Sequence, residues 1–562
     1  MCGIFCMHFQ DENFCIKFYT KHIKHLLENR GPDSTQQMYQ NSFYWSGTVL
    51  WHQGFKLTNQ PIFRNQKVLL FNGDLYMNEI YENSDTEFLF DLISNSENEE
   101  EFLNVFQKIS GPFSLICQFK ENLYFARDSL GRNSLLIGKY HESIFLTSVL
   151  ETHNDNEINA IELPPLGVYK INSSSCVDLF PYQELQHEYC FEQLEHLEAI
   201  VKINVRDKII NPQWLQLKKE TIFNFSFDKI IDDDIQKNVF EILLHHSEVA
   251  AACDKFIKLL SQSIKYRIER TQSRCKSCIK SNDLNCLHAN ISILFSGGVD
   301  CSIISFLANN YIDKKKPIDL LNVAFEKATN KSDKIDFNVP DRITGLSTYN
   351  ELKHLCPERK WNFVEINVTR LELQENREKL RNLIYPLENV LDESLGAALY
   401  FASRGKGTLF QTHNLYESNC RVILMGSGAD ELFGGYTRHR NAFKRSTSEN
   451  DLLQKELDLD WIRLPSRNLA RDDRVIGDNG VTVRTPYIEE FFVNFARSLS
   501  SLQRCYPKIE EGIGDKLLLR LCAYKLGLSK CCQFRKRALQ FGSKIADSRQ
   551  SAKDKSKLLQ KD

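Results

Sequence analysis

The first 175 residues carry short apolar runs in quick succession. "TVLW", "KVLLF", "FSLICQF", "NLYFARD", "SLLIG" and "SIFLTS" alternate with polar turns. Strands of this length at this spacing predict antiparallel sheets. Two stretches, 17–28 and 85–94, break the alternation and read as helices, and Ser84 or Asp85 offers the second an N-cap. Between about 180 and 250 the periods mix and charges multiply, in "EYCFEQLEHLEA" and "LKKETIFNFSFDKIIDDDIQK", which predicts an irregular connector with some helix. Residues 253–270 place apolar groups at 256, 259, 260, 264 and 268, a helical stripe. From 290 the pattern changes again. "ISILF" precedes a glycine turn and a helix from about 300; "LLNVAFE" and "NFVEINV" read as strands, 369–385 as a long helical stretch, and "RVILM" as a strand before a second glycine turn. Continuous apolar strands alternating with helices predict a parallel sheet covered on both faces.

This pattern divides the chain into a domain over 1–175, an irregular connector over 176–252, a second domain over 253–545, and a polar tail over 546–562 that predicts disorder. No internal repeat interrupts the division. At 562 residues the chain exceeds what one hydrophobic core serves, in agreement with two domains. A net charge of −2 gives no ground for a nucleic-acid or membrane-surface partner. No apolar run approaches the roughly 18 residues of a membrane span. The 17 cysteines follow no regular spacing and no signal peptide precedes them, so they read as reduced thiols and predict a cytoplasmic protein.

Candidate chemistry begins at "MCGIF". If Met1 is trimmed, Cys2 becomes the first residue, and its thiol sits beside an α-amine with a pKa of about 7.7–8.0. Such an amine serves as a general base near neutral pH, as in N-terminal nucleophiles. The alternative is a small buried cysteine at an arbitrary position.

A second signal is "ILFSGGVDCS", 293–302. A strand ends at Phe295, Ser296, Gly297 and Gly298 turn, and a helix begins near Asp300. Two glycines let the backbone approach a ligand, and converging N–H groups at a helix N-terminus suit phosphate. Asp300 faces phosphate sensibly only through a cation such as Mg²⁺. No Gly-Lys-Ser/Thr follows, so this is not a Walker A loop. "RVILMGSGADELFGGY", 421–436, repeats the arrangement of glycines and acids after a strand. In an open parallel sheet, loops at the carboxyl ends of neighbouring strands share one crevice, which would bring Asp300 and Asp430 together around one triphosphate.

"SGGVDCS" with "GADELFGGY" resembles the glutamine-dependent asparagine synthetase family, and "MCGI", "RGPD" (30–33), "NGD" (72–74), "SDTE" (84–87) and "RDSLGR" (127–132) resemble the glutaminase domain of class II amidotransferases, in the same order. The resemblance spans residues 1–170 and about 255–545. It implies a two-domain α/β protein: an N-terminal αββα sandwich of antiparallel sheets, of the N-terminal-nucleophile type, and a C-terminal parallel-sheet ATP-pyrophosphatase domain. It implies glutamine, aspartate and ATP as substrates, Mg²⁺ as cofactor, and asparagine, AMP and pyrophosphate as products. By position, Cys2 is the nucleophile, Asn72 and Gly73 hold the oxyanion, Asp85 grips the substrate α-amine, and Arg30, Asp33 and Asp74 line the glutamine pocket. Phe295, Val323 and Gly426 match positions that hold adenosine; Ser296, Gly297, Gly298, Val299 and Cys301 belong to the pyrophosphate cradle and its continuation; Asp300 and Asp430 match the metal ligands. Lys536, in "FRKRALQF", matches a lysine that stabilises charge during amide formation.

Three departures stand out. Where the family has an arginine for the α-carboxylate of glutamine, this chain reads "LWHQGFKLTNQP", with Gln53 nearest and Lys56 as a possible point charge. Ser427 replaces a carboxylate at the synthetase centre, and Asp74 replaces a glutamate. Two readings follow: an amidotransferase of the asparagine synthetase type, or a nucleotide-binding scaffold on the same fold. A ligase using free ammonia is a third. Outside the resemblance, "SRCKSCIKSNDLNCLH" spaces Cys275, Cys278, Cys286 and His288 as four N/S donors for structural zinc, or as a loop of unlinked thiols.

Overall fold

The computed structural model describes residues 2–9, 11–77, 80, 84–152, 155–171, 176–216, 223–231, 238–327, 336–447 and 451–546. Two antiparallel sheets face each other in the N-terminal half. One orders its strands Ile158–Glu162, Leu136–Tyr140, Ser143–Thr147, Gly3–His8, Phe43–Val49 and Ser34–Gln40. The other runs Lys202–Val205, Cys176–Pro181, Gly167–Ile171, Asn122–Arg127, Phe113–Phe119, Lys67–Gly73 and Ile62–Arg64. Ile4, Cys6 and Trp45 of the first sheet share one apolar core with Val68, Leu70, Ile116 and Phe125 of the second. Strand alternation sends the opposite side chains outward. There Phe5 and Met7 meet helices Glu12–His22 and Lys24–Arg30, while Leu69 and Phe71 meet Asp85–Ser94 and Glu99–Lys108. The result is the expected four-layered sandwich.

Gly3 explains its place behind Cys2. A Cβ there would stand 2.5 Å from Thr48 Oγ1 and 2.7 Å from Leu27 Cδ2, so only glycine lets the first strand lie this close.

The sandwich runs past the expected boundary at 175. Cys176–Pro181 pairs with Gly167–Ile171, and Lys202–Val205 adds to it in parallel after helix Glu188–Glu198. The 176–252 segment therefore opens as sheet, which the pattern did not disclose because "CVDLFP" alternates only weakly and one of its partners lies beyond a helix. Residues 217–222 and 232–237 of that segment, and all but Ala546 of the expected tail, lie outside the described residues.

The C-terminal sheet orders Leu415–Glu417, Lys406–Leu409, Trp361–Val368, Ile318–Phe325, Ile291–Leu294, Val422–Leu424 and Thr482–Arg484. Five strands are parallel, and the hairpin Lys406–Leu409/Leu415–Glu417 adds an antiparallel edge. The stripe read at 253–270 is helix Ser247–Glu269, and the stretch at 369–385 is two helices, Arg370–Glu375 and Arg377–Ile384, parted at Asn376. Among the described residues no helix is long and apolar enough to cross a membrane.

Candidate active site

Cys2 is buried at the floor of a cleft of about 330 Å³, open mouth included, lined also by Trp51, His52, Gln53, Lys56, Gln60, Gly73 and Asp85. Gln60 Nε2 donates to Cys2 Sγ at 3.6 Å, and its Oε1 accepts Phe71 N–H at 2.7 Å, fixing the amide that faces the sulfur. Burial pushes the Cys2 thiol up, against a smaller pull from the chain's terminal ammonium. A thiol held protonated this way needs a neighbouring base to react.

Asp85 lines the same cleft. Burial, and then the charge of Asp74, raise its carboxyl to about 7, although it accepts the Thr86 N–H at 2.7 Å and the Leu75 N–H at 3.4 Å. Gln53 is nine-tenths buried in the cleft wall, and neither its Oε1 nor its Nε2 has a partner. An amide left unpaired in that position costs about 1–3 kcal/mol unless a ligand meets it. Asn72 lies just behind: its Nδ2 reaches Ser114 Oγ at 3.4 Å, and its Oδ1 is unpartnered.

Three expected pocket residues stand elsewhere. Arg30 is fully buried behind the cleft, with Nε donating to the Cys2 carbonyl at 3.4 Å and Nη2 to Asp473 Oδ2 at 2.8 Å. Asp33 accepts the Trp51 N–H at 2.7 Å and Arg421 Nη1 at 2.5 Å. Asp74 receives a two-point contact from Arg484, 2.9 and 2.6 Å, and lies 2.9 Å from His52 Nε2. Burial opposes ionisation of Asp74, but Arg484 and His52 hold its carboxyl well below the usual range. All three brace the cleft wall from behind, and their partners Asp473, Arg421 and Arg484 come from the C-terminal half. Sequence reasoning missed these partners because no local pattern marks them.

The second centre forms where strands Ile291–Leu294 and Val422–Leu424 lie side by side. Their following loops meet: a Cβ on Gly426 would stand 2.9 Å from Asp300 Cβ. Gly297 has φ +77°, and a Cβ there would meet Thr344 O at 2.4 Å. Thr348 Oγ1 donates to Gly297 O at 2.8 Å, and Thr344 Oγ1 to Ser296 O at 2.8 Å, so helix Pro340–Leu355 clamps the turn. A Cβ on Gly298 would meet only Ser296 Oγ, at 3.4 Å, so this glycine faces open space. Val299 and Cys301 are buried at the start of helix Val299–Ala308, and Cys301 Sγ donates to Gly298 O at 3.2 Å. Phe295 and Val323 are buried beside the loop.

Asp300 and Asp430 converge on one cation, Lys516. Its Nζ lies 2.8 Å from both Asp300 oxygens and 2.9 Å from Asp430 Oδ1. Lys536 donates to the other Asp430 oxygen. Burial opposes ionisation of Asp430, but Lys516 and Lys536 keep it well below the usual carboxylate range. Lys516, a single lysine heading the apolar run "LLLRLCAYK", carries no sequence signal for this place and was not expected there. Two carboxylates already drawn to one point form a hard oxygen set that suits a divalent cation.

Between the centres lies a small cavity, lined by Tyr76, Asn133, Arg267, Met425, Arg484 and Thr485 among others. Asn133 Nδ2 donates to Asn72 O at 2.8 Å, and Met425 directly precedes Gly426, so the cavity touches the surroundings of both.

Comparison with known proteins matches one family model within each half of the chain. The asparagine synthase family matches residues 288–458, and a glutamine amidotransferase domain matches 50–153. An asparagine synthetase domain-containing protein of Drosophila melanogaster is 41% identical over 99% of this chain and 100% of its own. Asparagine synthetase domain-containing protein 1 of Homo sapiens is 34% identical over 97% of this chain and 95% of its own. The glutamine-hydrolysing asparagine synthetase B of Escherichia coli is 23% identical over 41% of this chain and 37% of its own.

Proposed function

Because the chain belongs to the family of asparagine synthetase domain-containing proteins, we propose that it is a glutamine-dependent, ATP-consuming amidotransferase that converts aspartate to asparagine. The observation that carries this reading is the meeting of the two glycine loops, which sets Asp300, Asp430, Lys516 and Lys536 around one point in a chain that also buries Cys2 in a cleft.

After removal of Met1, the Cys2 amine takes the thiol proton. The sulfur attacks the glutamine amide carbon while Asp85 pairs with the substrate ammonium. The C–N bond breaks, the amine returns the proton to the departing nitrogen, and ammonia leaves. Water then cleaves the thioester to glutamate. In this reading the Asn72 amide, turned from Ser114, and the Gly73 N–H would hold the oxyanion, and each such donor contributes about 3–4 kcal/mol at the transition state. In the second centre the aspartate side-chain carboxylate attacks the α-phosphorus of ATP, which the Ser296–Gly298 turn holds, and pyrophosphate leaves. Ammonia displaces AMP from the acyl adenylate, with loss of one proton. Asp300 and Asp430 would hold Mg²⁺, which neutralises triphosphate charge when bound. Lys516 and Lys536 offset the phosphate charge. The cavity between the centres is the route for ammonia. With all of its cysteines as thiols, this chemistry suits the cytoplasm.

Purified protein given glutamine, aspartate, ATP and Mg²⁺ is expected to form glutamate and AMP, and Cys2→Ala to lose the glutamate while keeping AMP formation with ammonia. Absence of both products removes the reading. The lack of an arginine at Gln53 and the serine at 427 favour a second reading, a nucleotide-binding scaffold, in which nucleotide binds but neither product appears.

A further inference from the structure

The loop between helix Ser247–Glu269 and strand Ile291–Leu294 lines neither centre, yet it gathers three buried cysteines and a histidine. The sulfur atoms of Cys275, Cys278 and Cys286 and a ring nitrogen of His288 all lie within 4.8 Å of one another. His288 Nδ1 stands 3.6, 3.4 and 3.9 Å from the three sulfurs in turn. A tetrahedral ion with Zn–S of about 2.3 Å and Zn–N of about 2.0–2.1 Å sets sulfur–nitrogen separations of about 3.6 Å. The three sulfur–nitrogen separations therefore already lie close to those such an ion requires. None of the three cysteines forms a disulfide.

The backbone supports the same assignment. Cys278 N–H donates to Cys275 Sγ at 3.5 Å, and Cys275 N–H donates to Cys286 Sγ at 3.4 Å. Such bonds favour thiolates, the form that binds metal. Asp283, 3.6 Å from Cys278 Sγ, adds another acidic neighbour that a cation would offset. Thiolate and imidazole donors in a closed set of four select zinc over the hard cations that carboxylates hold.

We propose that Cys275, Cys278, Cys286 and His288 bind one structural zinc ion that locks this loop against the wall of the Cys2 cleft. The loop makes that contact directly. Gln272 N–H donates to His52 O at 2.8 Å, Gln272 Nε2 donates to Gly54 O at 3.1 Å, and the Arg274 guanidinium lies 5.1 Å above the Trp51 ring. On its other side, Lys276 N–H donates to Asn419 O at 2.9 Å and Ser277 Oγ to Asn419 Oδ1 at 2.6 Å. A loop this polar has no apolar core of its own beyond the three cysteines, so the ion supplies the crosslink that holds both faces in place.

The test uses the full chain, purified reduced and without chelator. Elemental analysis is expected to give about one zinc per chain, falling to background in a Cys278→Ser/Cys286→Ser variant. Cobalt added to the metal-free chain is expected to give the intense visible bands of a tetrahedral thiolate site. His288→Cys, at an exposed position, is expected to keep the stoichiometry and shift those bands; it decides the matter if the cysteine variants fail to fold. Zinc at background in the parent chain together with no cobalt bands overturns the site. Hydrogen exchange reads the bracing: metal removal is expected to speed exchange over 270–290 and over 51–54. Unchanged exchange at 51–54 in a metal-binding chain overturns the contact with the cleft wall. None of these readouts depends on the proposed reaction.

Discussion

At the scale of single residues, Asp85 makes the clearest prediction. Its carboxyl is raised to about 7 by burial and then by the Asp74 charge. In the proposed reaction it must ionise to pair with the ammonium of glutamine, so kcat/KM for glutamine is expected to rise with pH through about 7. Asp85→Asn should flatten that profile and raise KM. The same shift reads on stability. Between pH about 4 and about 7 the folded chain keeps a proton that the unfolded chain has released, so stability falls as pH rises across that window. The penalty is absent below about 4, complete above about 7, and roughly 4 kcal/mol at most, given 1.36 kcal/mol per pKa unit. Asp85→Asn is therefore expected to raise the denaturant midpoint at pH 8 and leave it little changed near pH 4; a variant that is weaker at pH 8 contradicts the assignment. The acid itself was legible in "SDTE", but its environment was not. Likewise Cys2 announced itself by position, whereas Lys516 is one lysine among many until the fold sets it between Asp300 and Asp430.

At the scale of elements, the two glycine loops were the most legible feature, because strand, turn and helix start are all local. "ILF" and "VIL" read as buried strands, and the sheet makes them neighbours, as a shared crevice requires. What the chain pattern did not disclose was the clamp from helix Pro340–Leu355, whose threonines are unremarkable in sequence, or the break at Asn376 within an otherwise helical stretch. The loop contact gives a sharp test. A methyl group on Gly426 would enter the space of Asp300 Cβ at 2.9 Å, inside normal contact, so loop 426–430 must shift from the 296–300 turn. Gly426→Ala is expected to weaken ATP binding tenfold or more, about 1.4 kcal/mol, by calorimetry, with labelling of Cys2 by a reactive glutamine analogue unchanged. Unaltered ATP affinity would separate this glycine from the nucleotide centre.

At the scale of the whole molecule, the two halves are joined by buried charge. Arg30–Asp473, Arg421–Asp33, Arg484–Asp74, Arg132–Glu490 and Arg474–Glu162 all cross between them. These pairs were illegible in the sequence, since no periodicity links residues hundreds of positions apart. "RGPD" offered Arg30 and Asp33 as pocket residues when each in fact faces a partner from the other half. The consequence is that the C-terminal half braces the backbone of Cys2, the proposed nucleophile. Asp473 accepts from Arg30 through both its carboxylate and its carbonyl, and Arg30 in turn donates to the carbonyl of Cys2. Removing the charge of Asp473 takes the carboxylate away from a fully buried guanidinium, and breaking a pair of this kind costs about 3–5 kcal/mol. Asp473→Asn keeps the shape and part of the hydrogen bonding, so the expected effect is graded. The chain should unfold at lower denaturant, and labelling of Cys2 by the glutamine analogue should slow, although Asp473 lines neither the cleft nor the nucleotide loops. Arg30→Lys, which keeps the charge but loses the fork that spans Asp473 and Cys2, should slow labelling with a smaller loss of stability. If both variants label at the parent rate, the contact between the halves holds the fold together without positioning the sulfur.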